Sequence, residues 1–364
     1  MTWIAVADHK ERRFSLRGVG EDRTDRRLHP GDPDYQPQCG SLMFETRLSP
    51  DGRPQVLLSF SRSWPEQRSL TFQAIPGGGI SMVQVTGENI AHAALTHGVP
   101  GRTDVLRVTF SWDAGRGFAR LTVERPEEDQ VASVTVSDVR PMRLQDLRDM
   151  LLGKGDQIFA RDVVFAALSD RVEPVGPMPG LAPEAMVATP GGYREAADLR
   201  RGDTVITRTG EIVPVLHAVS RRVPARGSFA PVRLRAPYFG LRDDVITAPG
   251  QRLVIDGPEV EYLFNEEAVL VPARHLMNGF AALPVQPVPV QTYTQLILPA
   301  HEAVLVAGTA MESLNIGRIR RYPERLAATL LAETDRSALP EHGHAAFKVL
   351  KWFEAIHLAR QRAA

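Results

Sequence analysis

Residues 188–208 read ATPGGYREAADLRRGDTVITR. A short apolar run meets the Gly191-Gly192 turn, a connector passes from acidic to basic, and Gly202-Asp203 opens a second run. Gly-Asp ahead of β-branched residues is a turn-to-strand signal, so the stretch is expected to be strand, turn, strand. Moving outward, short β runs continue to about Arg320: VPVLHAVS, VRLRA, DVITA, QRLVID, AVLVPA, TYTQLIL and AVLVAG. The composition then changes. Pro323 heads the alanine- and leucine-rich ERLAATLLAE, which suits one helix. HAAFKVLKWFEAIHLARQR suits a second, with Ala346, Val349, Leu350, Phe353 and Ile356 on one face.

Upstream, residues from Gly40 to Val175 read as all-β. Runs such as SLMFETRLS, SLTFQAI, ISMVQVT and DVVFAALSD alternate with turns at Pro50-Asp51-Gly52, Pro76-Gly77-Gly78-Gly79 and Asp113 to Gly117. That spacing predicts a β-sandwich, with FSWDAGRGFARLTV as a late hairpin and one short helix at Arg143 to Leu152. Glu173 to Gly180, EPVGPMPG, has no periodicity and marks the domain boundary. The expected division is a sandwich over 1–175, a second β-rich domain over 176–320 and a helical extension over 321–364.

At 364 residues the chain exceeds the roughly 100–200 residues of one ordinary domain. Lys plus Arg and Asp plus Glu are 43 each, so net charge gives no reason to expect nucleic acid or an anionic membrane as partner. One cysteine, Cys39, excludes an internal disulfide and a cysteine-built metal site. No apolar run approaches the roughly 18 residues of a membrane span. MTWIAVADHKERRF has no long apolar core, so no signal peptide is expected; the default location is the cytoplasm, with unconventional export open.

The opening stretch resembles the start of Hint modules, the hedgehog/intein autoprocessing fold, and especially the bacterial hedgehog-type group. The residues that carry this are Thr189, Pro190, Gly192, Leu199, Gly202, Asp203, Val205, Thr207 and Gly210. FNEEAVLVPARHLMNG (264–279) is similar to the family's middle block. TYTQLILPAHEAVLVAGTAMESL (292–314) is similar to its final block, through His301, Glu302, Gly308, Glu312 and Ser313. The implied fold class is mainly β: an N-terminal jelly-roll-like sandwich, similar in strand layout to concanavalin-like and laminin-G-like domains, then a Hint fold with C-terminal helices.

The resemblance also implies a chemistry. A cysteine, serine or threonine side chain attacks the carbonyl before it, because the attacking atom needs a lone pair and must later leave. A histidine in a T-x-x-H stretch protonates the departing nitrogen. Carried over by position, the nucleophile falls on Gly180, which has no side chain. The histidine position, in Thr247-Ala248-Pro249-Gly250-Gln251, falls on Gln251, which hydrogen-bonds but cannot shuttle a proton near neutral pH. His301 survives. The vestigial positions are therefore Gly180, Thr247, Gln251 and His301, and the centre reads as degenerate.

Other candidates each have a plainer reading. Thr189 and Thr247 are hydroxyls near the missing nucleophile, and also ordinary strand or turn threonines. His301 is a catalytic remnant or, the plainer reading, a core histidine satisfied by backbone, and Cys39 reads as a buried inert thiol. Trp64 and Trp112 could stack on sugars or pack in the core. Glu124, Glu127, Glu128 and Asp129 read as a solvated loop broken by Arg125-Pro126. His342-Gly343-His344 is short of a metal's ligand number and reads as a helix-entry loop. The expectation is a non-cleaving binding or scaffold protein with a protein or glycan ligand and no cofactor or metal. The alternatives are active self-cleavage near Gly180 and carbohydrate binding through the sandwich.

Overall fold

The structure is a computed structural model that describes residues 3–20, 34–47, 53–76, 78–96, 105–286, 288–343 and 345–363. It contains two compact units, residues 1–176 with 288–290, and residues 177–287 with 291–364. The Pro50-Asp51-Gly52 turn, Gly77 and His344 lie outside the described residues.

In the first unit the strands are β1 (Trp3–Ala7), β2 (Arg12–Phe14), β3 (Cys39–Arg47), β4 (Gln55–Arg62), β5 (Arg68–Ile75), β6 (Gly79–Thr86), β7 (Asn89–Thr96), β8 (Val105–Asp113), β9 (Phe118–Arg125), β10 (Gln130–Thr135), β11 (Asp156–Phe159) and β12 (Val163–Ser169). They form a β-sandwich. One sheet has the order β10-β9-β8-β3-β12-β1-β2 and the other β11-β4-β5-β6-β7. The alternating sequence of β5 becomes alternating burial, and its inward Leu70 and Phe72 join Phe44 and Phe110 in the core. The rings of Phe44 and Phe72 meet edge to face at 5.2 Å, a geometry that contributes beyond simple burial. Gly40 is required where it stands. A Cβ there would lie 2.5 Å from the ring of Trp112, its partner across β3 and β8. Trp112 is buried and donates its indole N–H to Pro37 O at 3.0 Å, whereas Trp64 is 83% exposed.

Helix α1 (Leu144–Leu152) closes the sandwich with Leu144, Leu147, Met150 and Leu151. Its buried Asp146 meets Arg68 Nε at 2.9 Å and Arg62 Nε at 2.8 Å. Glu124 corrects the solvated-loop expectation: it is buried on β9, facing Arg107 at 3.5 Å and accepting from Gly176 N at 3.0 Å. β9 runs on through Arg125, so the chain turns one residue later than Arg125-Pro126 suggested, and only Glu127, Glu128 and Asp129 are exposed.

The second unit comprises β13 (Met186–Thr189), β14 (Gly192–Glu195), β15 (Thr204–Ile206), β16 (Ile212–Pro214), β17 (His217–Pro224), β18 (Val232–Leu234), β19 (Val245–Thr247), β20 (Arg252–Asp256), helix α2 (Pro258–Phe264), β21 (Ala268–Pro272), β22 (Ala282–Pro284), β23 (Val290–Ile297), β24 (Ala303–Val306), β25 (Thr309–Glu312), helix α3 (Pro323–Leu326), β26 (Lys348–Val349) and helix α4 (Trp352–Ala363). The main sheet runs β14-β13-β24-β25-β20-β21-β26, beside smaller sheets β15-β16, β17-β23 and β19-β18-β22. The Gly202-Asp203 signal is realised: Gly202 takes φ +93° and Asp203 accepts from Arg200 N at 2.8 Å before β15 begins. That backbone bond leads the causes that hold the Asp203 carboxyl below its usual range.

The C-terminal stretch departs from expectation. ERLAATLLAE forms only the single turn of α3, then breaks into turns. Thr329 is the cause at hand, because its hydroxyl bonds Leu326 O and accepts from Leu331 N, offering the backbone an alternative to helix. Lys348-Val349 pairs in parallel with Val269-Leu270 as a sheet edge, so the last helix starts at Trp352. Its phase is reset. Ala355 and Leu358 face the core, whereas Phe353 and Ile356 are exposed. No described helix is long and apolar enough to cross a membrane.

The Asp146 cluster makes one expectation. Asp146→Ala leaves Arg68 buried without its carboxylate and is expected to cost about 3–5 kcal/mol. Urea unfolding of the full chain, followed by circular dichroism, reads this against wild type.

Candidate functional site

Gly180 is held by backbone bonds on two sides. Its carbonyl accepts from Ala248 N at 2.7 Å, and the next residue, Leu181, exchanges bonds with Thr294 of β23. Leu181 also bridges Thr247 at the end of β19. This places the Pro179–Gly180 peptide beside the turn Ala248-Pro249-Gly250, and that turn delivers Gln251 directly at Gly180. A Cβ on residue 180 would stand 2.1 Å from Gln251 Oε1 and 3.0 Å from its Cδ. The volume a nucleophilic side chain needs is already taken.

Gln251 is not free to leave. Its Oε1 accepts from Gln295 Nε2 at 2.7 Å, and its Nε2 donates to Glu312 O at 3.0 Å and to Arg252 O at 3.2 Å. The carboxamide thus uses both donor hydrogens and its acceptor, and only 5% of the residue is exposed. Gln295 also donates to Glu312 O at 2.9 Å, closing a small polar ring. Thr247, fully buried at the end of β19, has a hydroxyl oxygen with no hydrogen-bond partner among the described residues.

His301 stands one residue further out. Its Nε2 lies 3.0 Å from Glu312 Oε1, and Arg252 Nη1 reaches both oxygens of that carboxylate at 3.3 Å. The other face of His301 meets His342, with ring centroids 5.7 Å apart. His342 corrects the helix-entry reading. It is buried, accepts from Ile316 N at Nδ1 (3.2 Å) and donates from Nε2 to Leu298 O (3.0 Å). Those two bonds fix the neutral Nε2–H tautomer, and burial, with His301 as a smaller influence, pushes its pKa down.

The structure therefore brings Gly180 and Gln251 into contact, sets Thr247 on the strand beside them, and links His301 only through Glu312. Sequence reasoning missed Gln295, Arg252 and His342 as members of this network. TYTQLIL did carry a signal, a Gln amid apolar strand residues that has to find buried partners. Cys39, at the start of β3 in the first unit, is half-buried with Sγ 3.4 Å from Asp170 O, and burial raises its pKa. Among the described residues no group of three His, Cys, Asp or Glu side chains could hold a metal.

Residues 179–318 match the family model described as Hint domain. The second unit carries a Hint domain. No curated protein matches the chain. Among solved structures, the bacterial intein-like domain from Clostridium thermocellum is similar at 13% identity, covering 37% of this chain and 99% of that one, with a TM-score of 0.29. The CBM40 of the Ruminococcus gnavus IT-sialidase is similar at 12% identity, covering 46% of this chain and 74% of that one, with a TM-score of 0.25. Mouse laminin alpha1 chain domains LG4-5 are similar at 9% identity, over 86% of this chain and 75% of that one, with a TM-score of 0.26.

Two outcomes are expected of the Hint domain itself. Gly180→Ala is expected to lower stability by about 1–3 kcal/mol through overpacking against Gln251. Adding Gln251→Ala should remove most of that cost, a coupling on the order of 1 kcal/mol readable in a double-mutant thermal-unfolding cycle. The second outcome concerns pH. Burial, aided by Arg274, lowers the His275 pKa from 6.5 to about 4, and His342 shifts the same way. The unfolded chain takes up these protons before the folded one does, so stability is fully present above pH 6.5 and is lost as pH falls toward 4. Melting temperatures from pH 7.5 to 5 should show the decline, and His275→Gln should make it shallower.

Proposed function

We propose that the Hint domain of this chain is chemically silent and that the protein acts as a non-cleaving binding or scaffold module with a protein or glycan partner. We assign the sandwich to 1–175, the Hint domain to 176–320 and a C-terminal extension to 321–364. One observation carries the functional reading: Gln251 occupies the space that a side chain at position 180 would need, and three hydrogen bonds hold it there.

Peptide self-cleavage of the Hint kind needs an attacking thiol or hydroxyl and a proton for the departing nitrogen. Position 180 offers no attacking atom. The carboxamide at 251 has no proton to give near neutral pH. His301 is directed at Glu312 and lies against His342, and on this reading it does not supply the missing acid. Thr247 retains a hydroxyl, but among the described residues that oxygen has no hydrogen-bond partner that could draw off its proton.

The test restores both functions at once. In Gly180→Cys with Gln251→His, the thiolate attacks the Pro179 carbonyl, the 179–180 amide becomes a thioester, and the freed amine of residue 180 takes a proton. An added thiol then releases residues 1–179. Intact mass after incubation with thiol should show this fragment from the double variant and none from either single variant. A double variant that is folded by circular dichroism yet stays whole would overturn the assignment of positions 180 and 251.

A further inference from the structure

A cleft of about 430 Å³ in the second unit is lined by Arg320, Arg321, Asp335, Arg336, Ser337 and Glu341. It shares no lining residue with the Gln251 network. Two single helical turns build it, Ile319–Arg321 and Arg336–Ala338. The turns are fastened to each other, because Arg336 Nε donates to Arg320 O and Arg320 Nη1 donates to Leu339 O at 3.1 Å. Beneath them Leu339 packs with Ile297, Leu314, Ile316, Leu326 and Leu331. Next to Glu341, the backbone N–H of His342 donates to Gly317 O at 2.9 Å. A small core therefore fixes where the charged side chains start.

The acceptors in this lining are used up and the donors are not. Glu341 Oε1 accepts from Arg320 Nε at 2.7 Å, and Arg321 reaches both Glu341 oxygens through Nε at 3.0 Å and one of them also through Nη2. The Arg321 bonds, then that of Arg320, lower the Glu341 pKa to about 2. Asp335 accepts from Ser337 N at Oδ1 and from the Ser337 hydroxyl at Oδ2, both at 2.9 Å. A guanidinium has five N–H donors. Among the described residues no acceptor meets Arg320 Nη2, Arg321 Nη1 or either terminal nitrogen of Arg336. Three guanidinium groups against two carboxylates leave the lining one positive charge. Arg201 adds another nearby, since it joins the two Ser337 bonds in lowering the Asp335 carboxyl.

Spare donors, occupied acceptors and surplus positive charge select an anion with several acceptor oxygens. A carboxylate offers two oxygens and one charge. A phosphomonoester offers three oxygens and nearly two charges, and its geometry matches the guanidinium fork. The cleft lies in the size range of small-molecule sites, so it has room for more than the phosphate. Its lining holds no apolar or aromatic side chain, so a nucleobase finds no ring to stack on and the rest of the ligand is polar.

We propose that this cleft binds the phosphate group of a small polar phosphomonoester, gripped by Arg336 and the outer nitrogens of Arg320 and Arg321. Glu341 is the positioning residue, holding Arg320 and Arg321 side by side through its two oxygens. The inference is independent of whether the Hint domain cleaves. Calorimetric titration of the full chain in low-salt buffer tests it, with glucose 6-phosphate, inorganic phosphate and glucose each taken to about 10 mM, beyond the millimolar affinities of weak sites. Glucose 6-phosphate and inorganic phosphate should bind, and glucose should not. Arg336 is exposed and bonds only Arg320 O, so Arg336→Ala keeps the fold, checked by circular dichroism. It should weaken glucose 6-phosphate binding at least about tenfold. Arg321→Gln, which leaves the Arg320–Glu341 pair in place, should do the same and decides the matter should Arg336→Ala not fold. Arg360→Ala removes an equal charge from α4, outside the cleft, and should change nothing. The proposal is overturned if glucose 6-phosphate does not bind, if inorganic phosphate alone binds, or if binding survives either cleft substitution in a folded chain. A loss as large in Arg360→Ala would show general charge attraction and overturns it too.

Discussion

The Hint domain turns on a carboxamide pressed against a residue without a side chain. Gln251 reaches Gly180 because a tight turn after β19 aims it there, and it stays because all its polar valences are met within the fold. Glycine at 180 and glutamine at 251 explain each other. Any larger residue at 180 collides with Gln251, and an unanchored side chain at 251 would leave one amide hydrogen of Gln295 without its acceptor in a buried setting, at about 1–3 kcal/mol. The two residues are therefore one structural solution.

That solution spreads outward through Glu312. Its carbonyl takes donors from Gln251 and Gln295, while its carboxylate takes Arg252 and faces His301. His301 in turn lies against His342, whose ring is fixed between Ile316 N and Leu298 O. A chain of polar contacts thus leads from Gln251 to the C-terminal segment. Networks of this kind rigidify when fully satisfied. Here satisfaction is nearly complete, with the Thr247 hydroxyl and the His301 ring nitrogens as exceptions.

Much of this was legible in the sequence. Alternation in β5 and the Gly-Asp turn before β15 follow from local rules, and the three sequence blocks of the Hint domain appear in their expected order. The absence of a side chain at 180 and of a proton donor at 251 could be read directly from residue types. Their contact could not, because it depends on a turn closing onto a segment some seventy residues earlier in the chain. Helix breaking at Thr329 was invisible because alanine and leucine flank it and the hydroxyl acts through local backbone bonds. The parallel pairing of Lys348-Val349 was missed for a different reason: a two-residue strand has no period to detect. Glu124 looked solvated because its neighbours in sequence are charged, and its partner Arg107 lies on the adjacent strand.

The most direct measurement is the intact mass of the unmodified full-length chain after long incubation with hydroxylamine or an added thiol, either of which captures any ester or thioester formed in the backbone. A silent centre leaves a single species at 40.1 kDa. A pair of fragments divided near Pro179–Gly180 would contradict it.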